Sequence, residues 1–338
     1  MCFCRSLACL IAAGLLTTAT LRMPLDSAFA AGAVTIAGKI TEFGGLSGGI
    51  LRSIAPGSDG NVWFVEDSRD EIGRIAPNGK VTEFAIPRPP RTSSAQPFGI
   101  APGPDGNLWF TEGARGRIGR ITPSGAIREF FIPNGQSQPT GIVAGPDRAL
   151  WFTENYGNKI ARMTLTGATK EFAIPSPRAY PFSIAVGRDG NLWFTEYGAD
   201  KIGRITPSGK MSEFELPSPA RHPFSITSGA DGNLWFTEES ADKIGRMTPS
   251  GALTEFPVPT PNAGPLGITT GADGNVWFTE GSLSNPAHKI GRITPAGVVT
   301  EYRLPTAAAQ PFAITGTPDG KLWFTENRRD ANRIGALQ

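Results

Sequence analysis

The chain alternates short apolar runs with Gly- and Pro-rich turns, and the alternation is periodic. Seven runs read (L/V)-W-F-(T/V)-E, as in Leu108-Trp109-Phe110-Thr111-Glu112. They place the seven tryptophans at 63, 109, 151, 193, 235, 277 and 323, with gaps of 46, 42, 42, 42, 42 and 46 residues. A fixed period of that size marks a repeat architecture. One unit reads as four strands. Pro97-Phe98-Gly99-Ile100-Ala101 is an inner strand, and Pro104-Asp105-Gly106-Asn107 a tight turn in which Pro presets φ and Gly accepts positive φ. Leu108–Glu112 is a second strand, apolar on both faces because neighbouring units pack against both. Arg117–Thr122 is a third strand, and Ala126–Ile132, with alternating polarity, an outer one. No helical period competes with this reading beyond the first residues. The expected fold is all-β: a seven-bladed β-propeller of four-stranded blades.

The two ends of the chain bear on how such a ring closes. The last unit ends at Arg333-Ile334-Gly335-Ala336-Leu337-Gln338 and has no outer strand of its own. Gly38-Lys39-Ile40-Thr41-Glu42-Phe43 matches the outer-strand phrase Gly79-Lys80-Val81-Thr82-Glu83-Phe84. The N-terminal strand is therefore expected to complete the last blade. One propeller domain then spans 31–338, and 338 residues, which otherwise suggest about two domains, are used up by one ring.

Residues 1–30 read as a secretory signal. Arg5 is a short positive region, Leu7 to Leu16 an apolar one too short to span a bilayer, and Ala28-Phe29-Ala30 a small-residue cleavage site. The reading implies export to a periplasmic or extracellular location and a mature start at Ala31. Cys2, Cys4 and Cys9 all fall in this segment, so the mature chain would carry no cysteine; Ser6-Leu7-Ala8-Cys9 is a poor lipoprotein match. Charge is balanced, with 32 Lys+Arg against 30 Asp+Glu and no basic run, which leaves no footprint for nucleic acid. No membrane span is expected, and a monomer is.

In a propeller the crossing into each inner strand and the loop after each second strand share one face, where ligand sites form over the central channel. Two rings of positions point there. The first follows the inner-strand proline: Arg52, Phe98, Thr140, Phe182, Phe224, Leu266 and Phe312. The second is the glutamate ending each second strand: Glu66, Glu112, Glu154, Glu196, Glu238, Glu280 and Glu326. A group repeated in every blade serves the repeat, so these glutamates are read first as structural, either ion-paired with the basic residue that opens strand three (Arg117, Lys159, Lys201, Lys243, Lys289) or the arginine of the I-(G/A)-R phrase, or hydrogen-bonded in turns. Function is sought in breaks of symmetry: Arg52, Thr140, the longer loop Gly281–Ala287, and His222 at the mouth of blade five. His222 reads as a solvated loop histidine, with a pH-sensitive ligand contact as the alternative; His288, the other histidine, reads as a loop residue.

The phrase P-x-(G/S/A)-I…DGNLWFTE…KIGRITPSG…EF, as in Pro181 to Pro217, resembles the virginiamycin B lyase (streptogramin lyase) family over all seven units. The resemblance implies a propeller that opens a cyclic depsipeptide antibiotic at its ester by elimination, helped by Mg²⁺. It also implies histidines after the inner-strand proline in blades six and seven, a glutamate just before that proline in blade seven, and a glutamate at the end of that blade's second strand. Here those positions hold Leu266, Phe312, Gln310 and Glu326. Elimination needs a base for the proton α to the carbonyl and an acid or metal at the leaving oxygen, and Leu, Phe and Gln do not titrate. Three readings stay open. The first is a binding or scaffold propeller with an aromatic mouth (Phe98, Phe182, Phe224, Phe312) for an apolar or peptidic ligand. The second is a lyase whose site uses Arg52, His222, Glu280 and Glu326, with Glu280 and Glu326 as candidate metal ligands. The third is a protein-interaction hub.

Overall fold

The computed structural model describes residues 38–90, 93–217, 219–281, 288–327 and 332–338. The expected signal at 1–30, the expected mature start and most of the long loop at 281–287 lie outside the described residues.

Seven four-stranded antiparallel sheets form the fold. Blade one runs over Leu51–Pro56, Val62–Glu66, Glu71–Ile75 and Val81–Ala85. Blades two to six repeat this order from the inner strands Pro97–Pro102, Pro139–Ala144, Pro181–Val186, Pro223–Ser228 and Pro265–Thr270. Blade seven consists of Pro311–Gly316, Leu322–Glu326, Arg333–Leu337 and, outermost, Ile40–Phe43. The last pair runs antiparallel with Ile40 opposite Leu337 and Phe43 opposite Ile334, so the strand edge of the C-terminal segment is covered. Among the described residues the helical structure consists of two single turns of 3₁₀ type, Asp67–Arg69 and Glu239–Ala241, in the loops that follow second strands. No described helix is long and apolar enough to cross a membrane.

Seven apolar clusters hold the ring, each at a seam between neighbouring blades; one joins Trp63, Val65 and Ile72 of blade one to Ile100, Leu108 and Phe110 of blade two. Every second strand is buried along its whole length, which explains its unbroken apolar phrase. Its tryptophan stacks on the outer-strand aromatic of the same blade, as Trp193 does on Phe214 with centroids 5.3 Å apart. The turn before it is built for the indole. Asp189 accepts from the main chain of Asn191, from its side-chain amide, and from Trp193 Nε1 at 3.2 Å. The D-G-N-(L/V)-W phrase thus encodes a carboxylate that closes its own turn and satisfies a buried indole N–H. The glycine of strand three is steric: a Cβ on Gly203 would lie 2.1 Å from the Phe194 ring.

The basic residue opening strand three has a different partner from the one the sequence suggests. Lys243 Nζ lies 2.8 Å from Glu255, Lys289 Nζ 2.6 Å from Glu301 and Arg117 3.2 Å from Glu129, all glutamates of the outer strand. Lys159 likewise pairs with Glu171. The glutamate of the second strand lies opposite the base in register but is wholly buried, and the flexible cation takes the partner nearer water.

Trp193 is wholly buried in the seam with Leu216, Ile226 and Phe236. We expect Trp193→Ala to cost about 3–5 kcal/mol, the usual range for truncating a large buried aromatic, in reversible denaturant unfolding. A loss under about 1 kcal/mol would contradict the seam packing.

Candidate functional site

The inner strands bulge between the proline and the isoleucine, as between Pro181 and Ile184. The second-strand threonine occupies that bulge. Thr195 Oγ1 accepts from Ser183 N at 3.0 Å and donates to Phe224 O of the next blade at 3.0 Å. Thr153 reaches Phe182 O, Thr237 reaches Leu266 O and Thr279 reaches Phe312 O in the same way, at 2.8–2.9 Å. Each hydroxyl fixes the backbone of one residue in the ring that follows the proline. A second restraint comes from the residue before the proline, held in the left-handed region at Gln96, Gln138, Tyr180, His222 and Gln310 (φ 45–52°); blade six places Gly264 there, which adopts it at no steric cost.

The ring so held closes on itself. Phe98 meets Phe182 edge-on at 5.1 Å and Phe312 at 6.4 Å; Phe224 meets Phe182 at 4.3 Å and Phe312 at 5.7 Å. The Arg52 guanidinium sits 5.4 Å from both the Phe98 and the Phe312 rings, and its Nε is 3.0 Å from Asp67. Above this floor lies a cavity of about 450 Å³, lined by Arg52, the four phenylalanines, Asn155, Tyr156, Tyr180, Tyr197 and Glu239. Tyr156 is 68% exposed and Tyr180 38%, so the aromatic wall is open to a ligand. Tyr197 donates to Glu239 at 3.1 Å; burial and the Glu239 charge push its hydroxyl up to about 12, so it stays a donor.

The other sequence candidates lie off this cavity. Thr140 is buried, its hydroxyl shared with Thr153 and directed at Phe182 O, and Leu266, in blade six, is buried too. His222 stacks on the back of Tyr197 at 4.7 Å with Nδ1 2.7 Å from Ser240 Oγ. The main-chain N–H of Gln310 donates to His288 Nδ1, and burial holds His288 below its ordinary pKa. Glu280 and Glu326 are wholly buried at strand ends. Among the described residues, the acidic group with metal-like spacing is instead Glu66, Glu71 and Glu83 in blade one, with ligand atoms within 4.8 Å of one another.

Asn155, Tyr197 and Glu239 share a position the sequence analysis passed over: each directly follows the repeated glutamate. Across the blades that position reads Asp67, Gly113, Asn155, Tyr197, Glu239, Gly281 and Asn327. Its variation beside an unvarying neighbour was the available signal.

The repeated glutamates are unusual acids. Burial, then the neighbouring outer-strand glutamate, raises Glu66, Glu196 and Glu280 to about 8 and Glu154 to about 7; Glu112 and Glu238 shift the same way. They are neutral acids in the folded ring well above the ordinary carboxylate range. Such groups contribute stability that is complete below the unfolded pKa and is lost as pH rises through the folded one, because the unfolded chain releases these protons first. The melting temperature is therefore expected to fall by several degrees between about pH 5.5 and 8.5, and Glu196→Gln, a neutral isostere, to flatten that fall. A flat or rising melting temperature over this window would count against the buried neutral acids.

The virginiamycin B lyase family profile matches residues 26–143 and 93–338. A search of curated proteins gives no match. Among solved structures, virginiamycin B lyase from Staphylococcus aureus is 40% identical, covering 89% of this chain and 99% of its own, with a TM-score of 0.81. A catalytically inactive histidine-to-alanine variant of that enzyme with quinupristin matches equally. A streptogramin B lyase structure is 37% identical over 89% of this chain and 97% of its own, also with a TM-score of 0.81.

Proposed function

The chain belongs to the virginiamycin B lyase family, and on that premise we propose that it is a ligand-binding propeller whose mouth holds an apolar or peptidic small molecule without cleaving it. The observation that carries the reading is the packing of Phe312. The resemblance puts a histidine here, and the related S. aureus enzyme is inactive when a histidine is replaced by alanine. In this chain the position holds a phenylalanine wedged against Phe98, Phe224 and Arg52. Leu266 and Gln310 likewise offer no titratable group to take a proton. What remains is a cavity of about 450 Å³ with aromatic walls, an amide and a carboxylate, a lining suited to binding a small molecule.

The Mg²⁺ implied by the resemblance finds a poor donor set at this mouth. Glu239 is the carboxylate among the lining residues, and it already accepts from Tyr197. A hard dication wants about six oxygens, and Glu280 is held neutral by its burial.

A second reading, an active lyase, draws on the 40% identity over nearly the whole relative. Incubation with quinupristin, followed by mass spectrometry of the linearised product, separates the two. The wild-type protein is expected to act at near-background rates, since general acid–base help is worth about 10²–10⁴-fold. The variant Leu266→His, Gln310→Glu, Phe312→His is expected to gain activity. Enzyme-like turnover by the wild type would overturn the binding reading.

A further inference from the structure

On the face opposite the mouth, an arginine of strand three covers the tryptophan of its own blade. Arg74, Arg120, Arg204, Arg246 and Arg292 stand 5.3–5.8 Å from the indole centroid. Arg74, Arg204 and Arg246 reach further and donate to a proline carbonyl in the next blade, at Pro123, Pro249 and Pro295, over 2.8–2.9 Å. Arg74, Arg120 and Arg162 also lie 2.5–3.9 Å from the aspartate of the inner turn. The guanidinium therefore has three kinds of partner: an indole face, a carboxylate and a carbonyl.

Blade seven breaks this pattern. The residue opposite Trp323 in register is Ala336, where the other blades have arginine. The three partners remain. Trp323 still stacks on Phe43 at 5.6 Å. Asp319 occupies the inner turn, and Pro77 of blade one is the proline equivalent to Pro123, Pro249 and Pro295. Trp323, Asp319 and Pro77 all line one cavity of about 490 Å³ at the seam between blades seven and one, within the roughly 300–1,000 Å³ of small-ligand pockets. Asp319 does not hold the indole as its counterparts do; it accepts from Thr317 Oγ1 at 2.5 Å and from Lys321 N at 3.4 Å. Its ion pair with Lys321, 3.3 Å long with the Asp319 side chain 53% exposed, is of the weak surface kind.

We propose that this slot is a binding site for a guanidinium group, carried by the arginine side chain of a peptide or by a free arginine-like molecule. Trp323 is 3% exposed, so the guanidinium would meet only the part of the indole that lines the slot, its planar fork shared between the Asp319 carboxylate and the Pro77 carbonyl. Guanidinium suits the slot better than ammonium, because its rigid fork offers donors in several directions at once.

The test is calorimetric titration of the full chain with N-acetyl-arginine amide, with free arginine, and with N-acetyl-citrulline amide, the neutral isostere. Saturable binding of an arginine ligand near about 1 mM, the scale of a single small anchor, is expected, with citrulline at least 10-fold weaker. Tighter binding of the blocked amide assigns the slot to a peptide, and tighter binding of free arginine to a small molecule. Ala336→Arg, which restores the side chain found in the other blades, should abolish the binding and raise the melting temperature. Asp319→Asn should weaken binding at least 5-fold while the protein stays folded. Failure to saturate, equal affinity for citrulline, or unchanged binding in Ala336→Arg would each overturn the proposal.

Discussion

At five seams a threonine hydroxyl ties the ring to its mouth. A second-strand threonine accepts from the bulged inner strand of its own blade and donates to the mouth residue of the next. A bulge re-aims a side chain but leaves main-chain groups unpaired; in the interior those groups need partners. The threonine supplies them from a strand that is itself locked by burial on both faces. The positions of Phe182, Phe224 and Phe312 thus follow from seam packing and owe little to loop structure. Blade one carries Val65 at this place and has no hydroxyl for the seam to blade two. There the mouth is braced differently: Arg52 packs over Phe98 and pairs with Asp67.

Period and turn chemistry made the fold legible, because both are local. The strand limits agree with the pattern to about one residue, as at Arg117–Ile121 and Ile127–Phe131. The candidate site was half legible. The four phenylalanines could be placed over the channel from their register with the inner-strand proline, and the structure brings them into contact. Their polar surroundings were not, because Asn155, Tyr197 and Glu239 sit one residue past the repeated glutamate, where attention to what repeats conceals what varies. Ion pairing was misread for a related reason. Lys159 lies beside Glu154 across one strand pair and diagonal to Glu171 across the other, and sequence gives both as neighbours. Only burial separates them: desolvating a carboxylate costs more than a pair recovers, so the buried Glu154 becomes a neutral acid and the cation goes to Glu171.

In a repeat protein, a group present in every blade tells about the blade. The departures carry the individual chemistry, and two of them flank the closing seam. Blade one alone opens its third strand with an acid, Glu71, where the others have Arg or Lys. Three carboxylates then converge, and Arg69, 3.1 Å from Glu71, supplies a cation from the loop. Blade seven alone replaces its stacked arginine with Ala336.

These changes are not interchangeable in cost. Losing the cation at position 71 is offset locally, by Arg69 3.1 Å from Glu71 and by the Ser47 hydroxyl 2.9 Å from it. Among the described residues no side chain takes the arginine's place over Trp323: part of the buried indole, the Asp319 carboxylate, paired with Lys321, and Pro77 line the slot. A ring that repeats one arrangement elsewhere and omits its central cation at one seam keeps a recognition geometry it no longer uses internally. The mouth shows the complementary case, in which Phe312 fills a position that the family resemblance gives to a titratable group. One face has gained bulk where chemistry is expected; the other has lost bulk where packing is expected. Both departures fall in blade seven, where the first and last strands meet and where a change in one strand is felt by a partner far away in sequence.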